Sequence, residues 1–139
     1  MFRVLTPRFV RPAGSVVALT VGVVMAGISG SAAPQQSKRE FTVAAHKYGY
    51  RISGTDQPVI RVTQGDMVHI EFSAEDIPHS FTTDGNSPYR IMKRAEPGKS
   101  VSIDFVADQP GSFTFYCNLP LDDRCAKETR GQLVVERKK

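Results

Sequence analysis

The stretch Gln57–Phe72, "QPVIRVTQGDMVHIEF", decides how the rest of the chain is read. It contains two runs of alternating apolar and polar residues, joined by Gln64-Gly65-Asp66. In the second run Val68, Ile70 and Phe72 share one face, and Met67, His69 and Glu71 share the other. A period of two with β-branched residues predicts strands, because successive side chains of a strand point to opposite faces. A Gly-Asp pair between two such runs predicts a tight turn.

The pattern continues in both directions. "FTVAA" aligns Phe41, Val43 and Ala45. "SVSIDF" aligns Val101, Ile103 and Phe105 after the turn "EPGK". "QPGSFTFYC" aligns Phe113, Phe115 and Cys117 after a Pro-Gly turn, and "GQLVVE" closes the chain. Many short strands between Gly/Pro turns predict an all-β sandwich or barrel. No helical period of useful length is present, and "AEDIPHSF" and "SPYRIMKRA" read as loops or single helical turns.

The N-terminal third differs. Arg3, Arg8 and Arg11 precede an uncharged run that ends in "GSA" (Gly30–Ala32), and Glu40 is the first acid. A basic segment, an apolar segment and a small-residue site predict a secretory signal over residues 1–32, cut after Ala32. An uncleaved membrane anchor is the alternative reading. The strongest apolar stretch, Val16–Ile28, is interrupted by Gly22 and Gly27, short of the about 20 residues a span wants. Residues 33–39 read as a polar linker and 40–139 as the domain. The chain carries 18 basic and 14 acidic residues. Without the three N-terminal arginines the domain has 18 − 3 = 15 against 14. That near balance gives no surface for nucleic acid. Export would place the domain in the periplasm or outside the cell, where a disulfide can persist.

No Gly-x-Ser-x-Gly elbow or phosphate-cradling glycine loop occurs, so the sequence predicts a protein that is not an enzyme. His69 alternates to the polar face, and His46 ends the first strand. His79 follows Pro78 and precedes Phe81, a restrained position that suits either a metal ligand or a packed loop histidine. Cys117 ends a strand, and Cys125, the one other cysteine, follows after seven residues. Thiolates and an imidazole suit copper. The alternative for the pair is a Cys117–Cys125 disulfide, contributing roughly 2–3 kcal/mol by loop closure.

Residues 40–136 resemble a cupredoxin domain, and in particular the copper-binding domain of cytochrome c oxidase subunit II and nitrous oxide reductase. "QPVIRVTQGDMVHIEF" is similar to the family's "I-x-V-x-x-G-D-x-V" strand pair. "SAEDIPHSF" is similar to its "D-x-x-H-x-F" segment, and "EPGKSVSIDFVADQPGSFTFYC" to the run into the ligand cysteine. "RGQLVVE" looks like the closing strand. The resemblance implies a Greek-key β-sandwich with copper at one end, held by His79 and Cys117. The chain departs from the family at the ligand loop. Leu121 stands where the dinuclear members have a second cysteine. In the spacing Cys-x7-His-x3-Met-x-Gly, Cys125 takes the histidine position, Thr129 the methionine position and Gly131 the glycine position. The expected site is therefore His79, Cys117 and Cys125 around one copper ion. Thr129 or Glu128 is a candidate weak axial donor. Two soft sulfurs imply a Cu(I) preference, and the partner implied is a redox or copper-delivery protein. A membrane is involved only if residues 1–32 stay attached. The alternative function is a metal-free interaction module locked by the disulfide.

Overall fold

The computed structural model describes Gly14 and residues 35–120 and 123–139. The signal and anchor readings of residues 1–32 lie outside the described residues. So do the position of Leu121 and that of its neighbour Asp122.

The alternating runs form strands that pack as two sheets. The first has the order β2-β1-β4-β7, with β1 Lys38–His46, β2 Gly49–Ile52, β4 Met67–Ala74 and β7 Ser100–Val106. The second has the order β3-β9-β8-β5-β6, with β3 Val59–Thr63, β5 His79–Thr83, β6 Met92–Ala95, β8 Gly111–Tyr116 and β9 Arg130–Glu136. β1 runs parallel to β4, and β3 runs parallel to β9. The remaining neighbours are antiparallel. This is the all-β sandwich that the sequence predicts. The one helix among the described residues, α1 Asp123–Glu128, interrupts the run from β8 to β9.

Val68, Ile70 and Phe72 of β4 are buried, whereas Met67 on the opposite face is exposed. The β3–β4 turn follows from its residues. Gly65 takes a φ of 95°, which a side chain would resist. The Asp66 carboxylate accepts the Thr63 backbone N–H at 2.9 Å. Between the sheets Tyr50, Phe72, Phe81 and Phe115 interlock, with Phe81 and Phe115 stacked 4.4 Å apart. Burying such rings contributes about 1.5–3 kcal/mol each.

Three expectations are corrected. "AEDIPHSF" ends in the first three residues of β5 and "SPYRIMKRA" ends in β6, while residues 75–78 and 87–91 are loop as expected. All five residues of β5 are buried, so no apolar/polar alternation marks it. β6 is an edge strand exposed along three of its four residues. The third is α1, whose six residues are too few to show a helical period. Asp123 in its first turn and Lys127 in its last suit the helix dipole.

β1 and β4 end, and β5 begins, at the same end of the sandwich as the close of β8. The Ala45↔Ala74 pair and the start of β5 at His79 set this arrangement. The segment after β8 carries Cys117, and α1 carries Cys125.

Candidate metal centre

His79 is the first residue of β5, and its partner across the ladder is Ala95. Cys117 directly follows β8 and continues its inward face after the buried Phe115. Cys125 is the buried residue of α1. All three are at most 1% exposed. One donor atom from each lies within 4.8 Å of the other two. The His79 Nδ1 faces the sulfurs, 3.4 Å from Cys125 Sγ. Both cysteines are free thiols. The expected alternative, a Cys117–Cys125 disulfide, is therefore not what the structure holds.

The orientation of His79 has a cause the sequence reading missed. Its Nε2–H donates to Asp76 Oδ1 at 2.8 Å. Asp76 is itself held by the backbone N–H of Ile77 and by that of Lys47, both at 2.7 Å. Fixing hydrogen on Nε2 leaves the Nδ1 lone pair aimed at the thiols. A carboxylate behind a ligating imidazole sets its tautomer and raises its basicity. Asp76 lies in the quoted "D-x-x-H" segment, so its spacing to His79 was the available signal. Replacing it by Asn keeps an acceptor but removes the charge. Asp76→Asn is expected to weaken metal binding about 10-fold, measured by competition with a chelator.

Charge is tuned in the same place. Burial raises the pKa of the Cys117 thiol. Hydrogen bonds from His79, Cys125 and the backbone at Leu119 and Ser80 outweigh it and bring the thiol down to about 6. Burial opposes the charged form of His79, but bonding to Cys117 and Asp76 raises its pKa nonetheless. A thiolate–imidazolium pair therefore forms once pH rises through about 6, below the ~8.5 of a free cysteine. In reduced metal-free protein the ultraviolet thiolate absorbance should grow in around pH 6 and vanish in Cys117→Ser. Tyr50 is pushed the other way, first by burial and then by the negative charge of the cysteines, and stays a neutral donor to the Ser80 carbonyl at 2.6 Å.

A second set of bonds pins the ligand loop. Ser80 Oγ donates to Asn118 Oδ1 at 2.7 Å and accepts the Asn118 N–H at 2.8 Å. This ties the residue after Cys117 to the residue after His79. The Arg124 guanidinium lies 4.1 Å from the Tyr48 ring centroid, where α1 meets the β1–β2 turn.

Of the axial candidates, Glu128 is not brought into the cluster. Its carboxylate is held by both Arg124 Nε and Nη2, at 2.8 and 2.9 Å, on the exposed side of α1. Thr129 is fully buried, and its hydroxyl has no hydrogen-bond partner among the described residues. His69 and His46 lie outside the cluster. The His69 Nδ1–H donates to Asp104 Oδ1 at 2.7 Å on the outer face of the first sheet.

The donor set fits a soft metal ion. Two thiolates and an imidazole are copper ligands by chemistry, and an orphaned buried hydroxyl marks a group left for something further to satisfy. His79, Cys117 and Cys125 would hold the ion, and copper bound there would supply soft-metal carriage or one-electron chemistry.

No family model matches the chain. It is 30% identical over 101 residues to the copper-containing nitrite reductases of Neisseria meningitidis and Neisseria gonorrhoeae. The match covers 66% of this chain and 26% of theirs, so the chain spans about a quarter of the length of these relatives. Among solved structures, rusticyanin from Thiobacillus ferrooxidans superposes with a TM-score of 0.58 at 14% identity, over 73% of this chain and 79% of that one. The periplasmic domain of subunit II of cytochrome oxidase from Bradyrhizobium japonicum gives 0.59 at 12% identity, over 71% and 84%. Copper nitrite reductase from Nitrosomonas europaea gives 0.58 at 23%, over 74% and 43%. The two sheets and their superposition on these structures give this chain a cupredoxin-like β-sandwich fold, with the buried His79, Cys117 and Cys125 cluster at one end.

Proposed function

We propose that this chain is an exported copper-handling protein that carries one Cu(I) ion on His79, Cys117 and Cys125 and passes it to a protein partner. The observation that supports this most is the meeting of three buried donors, two of them free thiols, within 4.8 Å. Two thiolates favour Cu(I) over Cu(II) by softness. A site that holds one oxidation state suits carriage better than repeated electron transfer.

Export is supported by the basic and apolar composition of residues 1–32 and by likeness to a periplasmic domain. No helix among the described residues is long and apolar enough to cross a membrane.

The experiment is a titration of reduced, metal-free protein with Cu(I) against a coloured Cu(I) chelator. One equivalent should be taken up per chain, with both thiols protected from alkylation afterwards. Uptake of no copper at micromolar metal would discard this function.

A further inference from the structure

Residues 90–99 carry four basic side chains, Arg90, Lys93, Arg94 and Lys99, against one acid, Glu96. All four basic residues are exposed. Arg94 is held by Glu96 at 2.7 Å, and among the described residues the other three enter no ion pair. The domain as a whole is nearly neutral, so this concentration of charge is local. It falls on β6, which closes the second sheet with no strand beyond it.

Register decides what that edge presents. β6 pairs with β5 as Thr82↔Met92, Phe81↔Lys93, Ser80↔Arg94 and His79↔Ala95. The Thr83 N–H donates to the Ile91 carbonyl at 3.0 Å. Along an antiparallel strand the backbone groups turn alternately to one side and the other. Ile91, Lys93 and Ala95 therefore turn theirs to β5, and Met92 and Arg94 turn theirs to the open edge. Side chains alternate as well. Lys93 shares the side of the buried Phe81, at the rim of a groove of about 540 Å³ lined by Arg90, Lys93, Ser102 and Asp104. Met92, which is 70% exposed, and Arg94 lie on the opposite face. An open edge of this kind is a template for one more strand.

We infer that β6 docks an acidic, extended segment of a partner protein, which adds a strand to the second sheet. The outward N–H and C=O groups of Met92 and Arg94 supply the ladder, and the basic side chains select the sequence. Charged edges keep like strands apart. The residues that repel the β6 of a second copy thus admit a strand carrying glutamate or aspartate. A nucleic acid or a small anion would meet the charge but not the ladder. The position suits a carrier. His79 lies opposite Ala95, so the added strand runs two strand spacings, about 10 Å, from the His79 backbone. That purpose rests on the carrier function proposed above, whereas the docking itself needs no copper.

The test uses the whole chain, metal-free and Cu(I)-loaded, and a short fluorescent peptide of glutamate and threonine with glutamate on both faces. Anisotropy should show binding that weakens as salt is added, and the amide signals of Met92 and Arg94 should shift. The lysine/threonine counterpart should bind about 10-fold more weakly or worse. So should the acidic peptide N-methylated on the residues that face β6, which keeps the charge and loses the ladder. Lys93→Glu/Arg94→Glu should also weaken the acidic peptide about 10-fold and still take up Cu(I), since neither residue is a donor. Equal binding of the two peptides, undiminished binding of the methylated one, or an unchanged affinity in the charge-reversed chain would overturn the inference. So would a wild-type dimer in sedimentation that the peptide breaks apart, which would assign the edge to a second copy. Peptide binding without copper uptake discards the carrier function and leaves the docking edge. Copper uptake without peptide binding discards the docking edge alone.

Discussion

Cys117→Ser should abolish copper uptake, and Cys125→His should convert the centre into a coloured one. Cys117 is the inward residue that closes β8, with both other donors within 4.8 Å. Serine keeps its place but cannot supply a thiolate. The loss of affinity should exceed the ~10–100-fold typical of removing an outer partner such as Asp76. Cys125→His leaves one thiolate and two imidazoles. That set stabilises Cu(II) and gives an intense thiolate-to-copper absorption. In the wild type, two adjacent thiols instead reduce Cu(II) and are themselves oxidised toward a disulfide. Visible absorption after Cu(II) addition measures both variants. A colourless Cys125→His protein that still binds copper would contradict the assignment of Cys125 as a donor.

Gly131→Ala should destabilise the domain strongly without touching a donor. A Cβ on Gly131 would collide with Phe115 Cζ and lie 2.8 Å from the Pro58 carbonyl oxygen. The ring cannot swing aside, because Phe115 stacks on Phe81 at 4.4 Å and meets Tyr50 at 5.1 Å. The carbonyl belongs to the backbone and accepts the Gln132 N–H at 2.8 Å. Overpacking of this kind costs about 1–3 kcal/mol, and more where backbone must move. For a domain of this size that lowers Tm by on the order of 10 °C. A thermal melt of metal-free Gly131→Ala checks it, and an unchanged Tm would show that the Phe115 ring has room to move.

The centre was legible in part. His79, Cys117 and Cys125 were picked out from their neighbours, their spacing and the family resemblance, and the fold brings those three together. Asp76 was in view as a motif residue, but its role depends on where Lys47 and Ile77 send their N–H groups. Lys47 is 29 residues away in sequence, so no local pattern relates the two. Glu128 and Thr129 are adjacent and were equal candidates. One is turned outward to Arg124 and the other is buried, a difference fixed by the helix ending between them.

The sequence by itself determined the sheet faces. A strand's period of two is local, so Val68, Ile70 and Phe72 had to lie together wherever β4 was placed. The turns at Gly65 and Gly98 were equally local, since each takes a positive φ that glycine adopts readily. Tertiary structure alone decided β5 and β6. β5 is covered on both faces and β6 is an edge, and neither condition leaves a mark of period two. It alone also explains why position 131 is glycine, through a ring that arrives from the neighbouring strand. The free state of the two thiols belongs to the same class. Spacing permits both a bond and a metal clasp, and the choice lies in how β8 and α1 hold the sulfurs around the imidazole of His79.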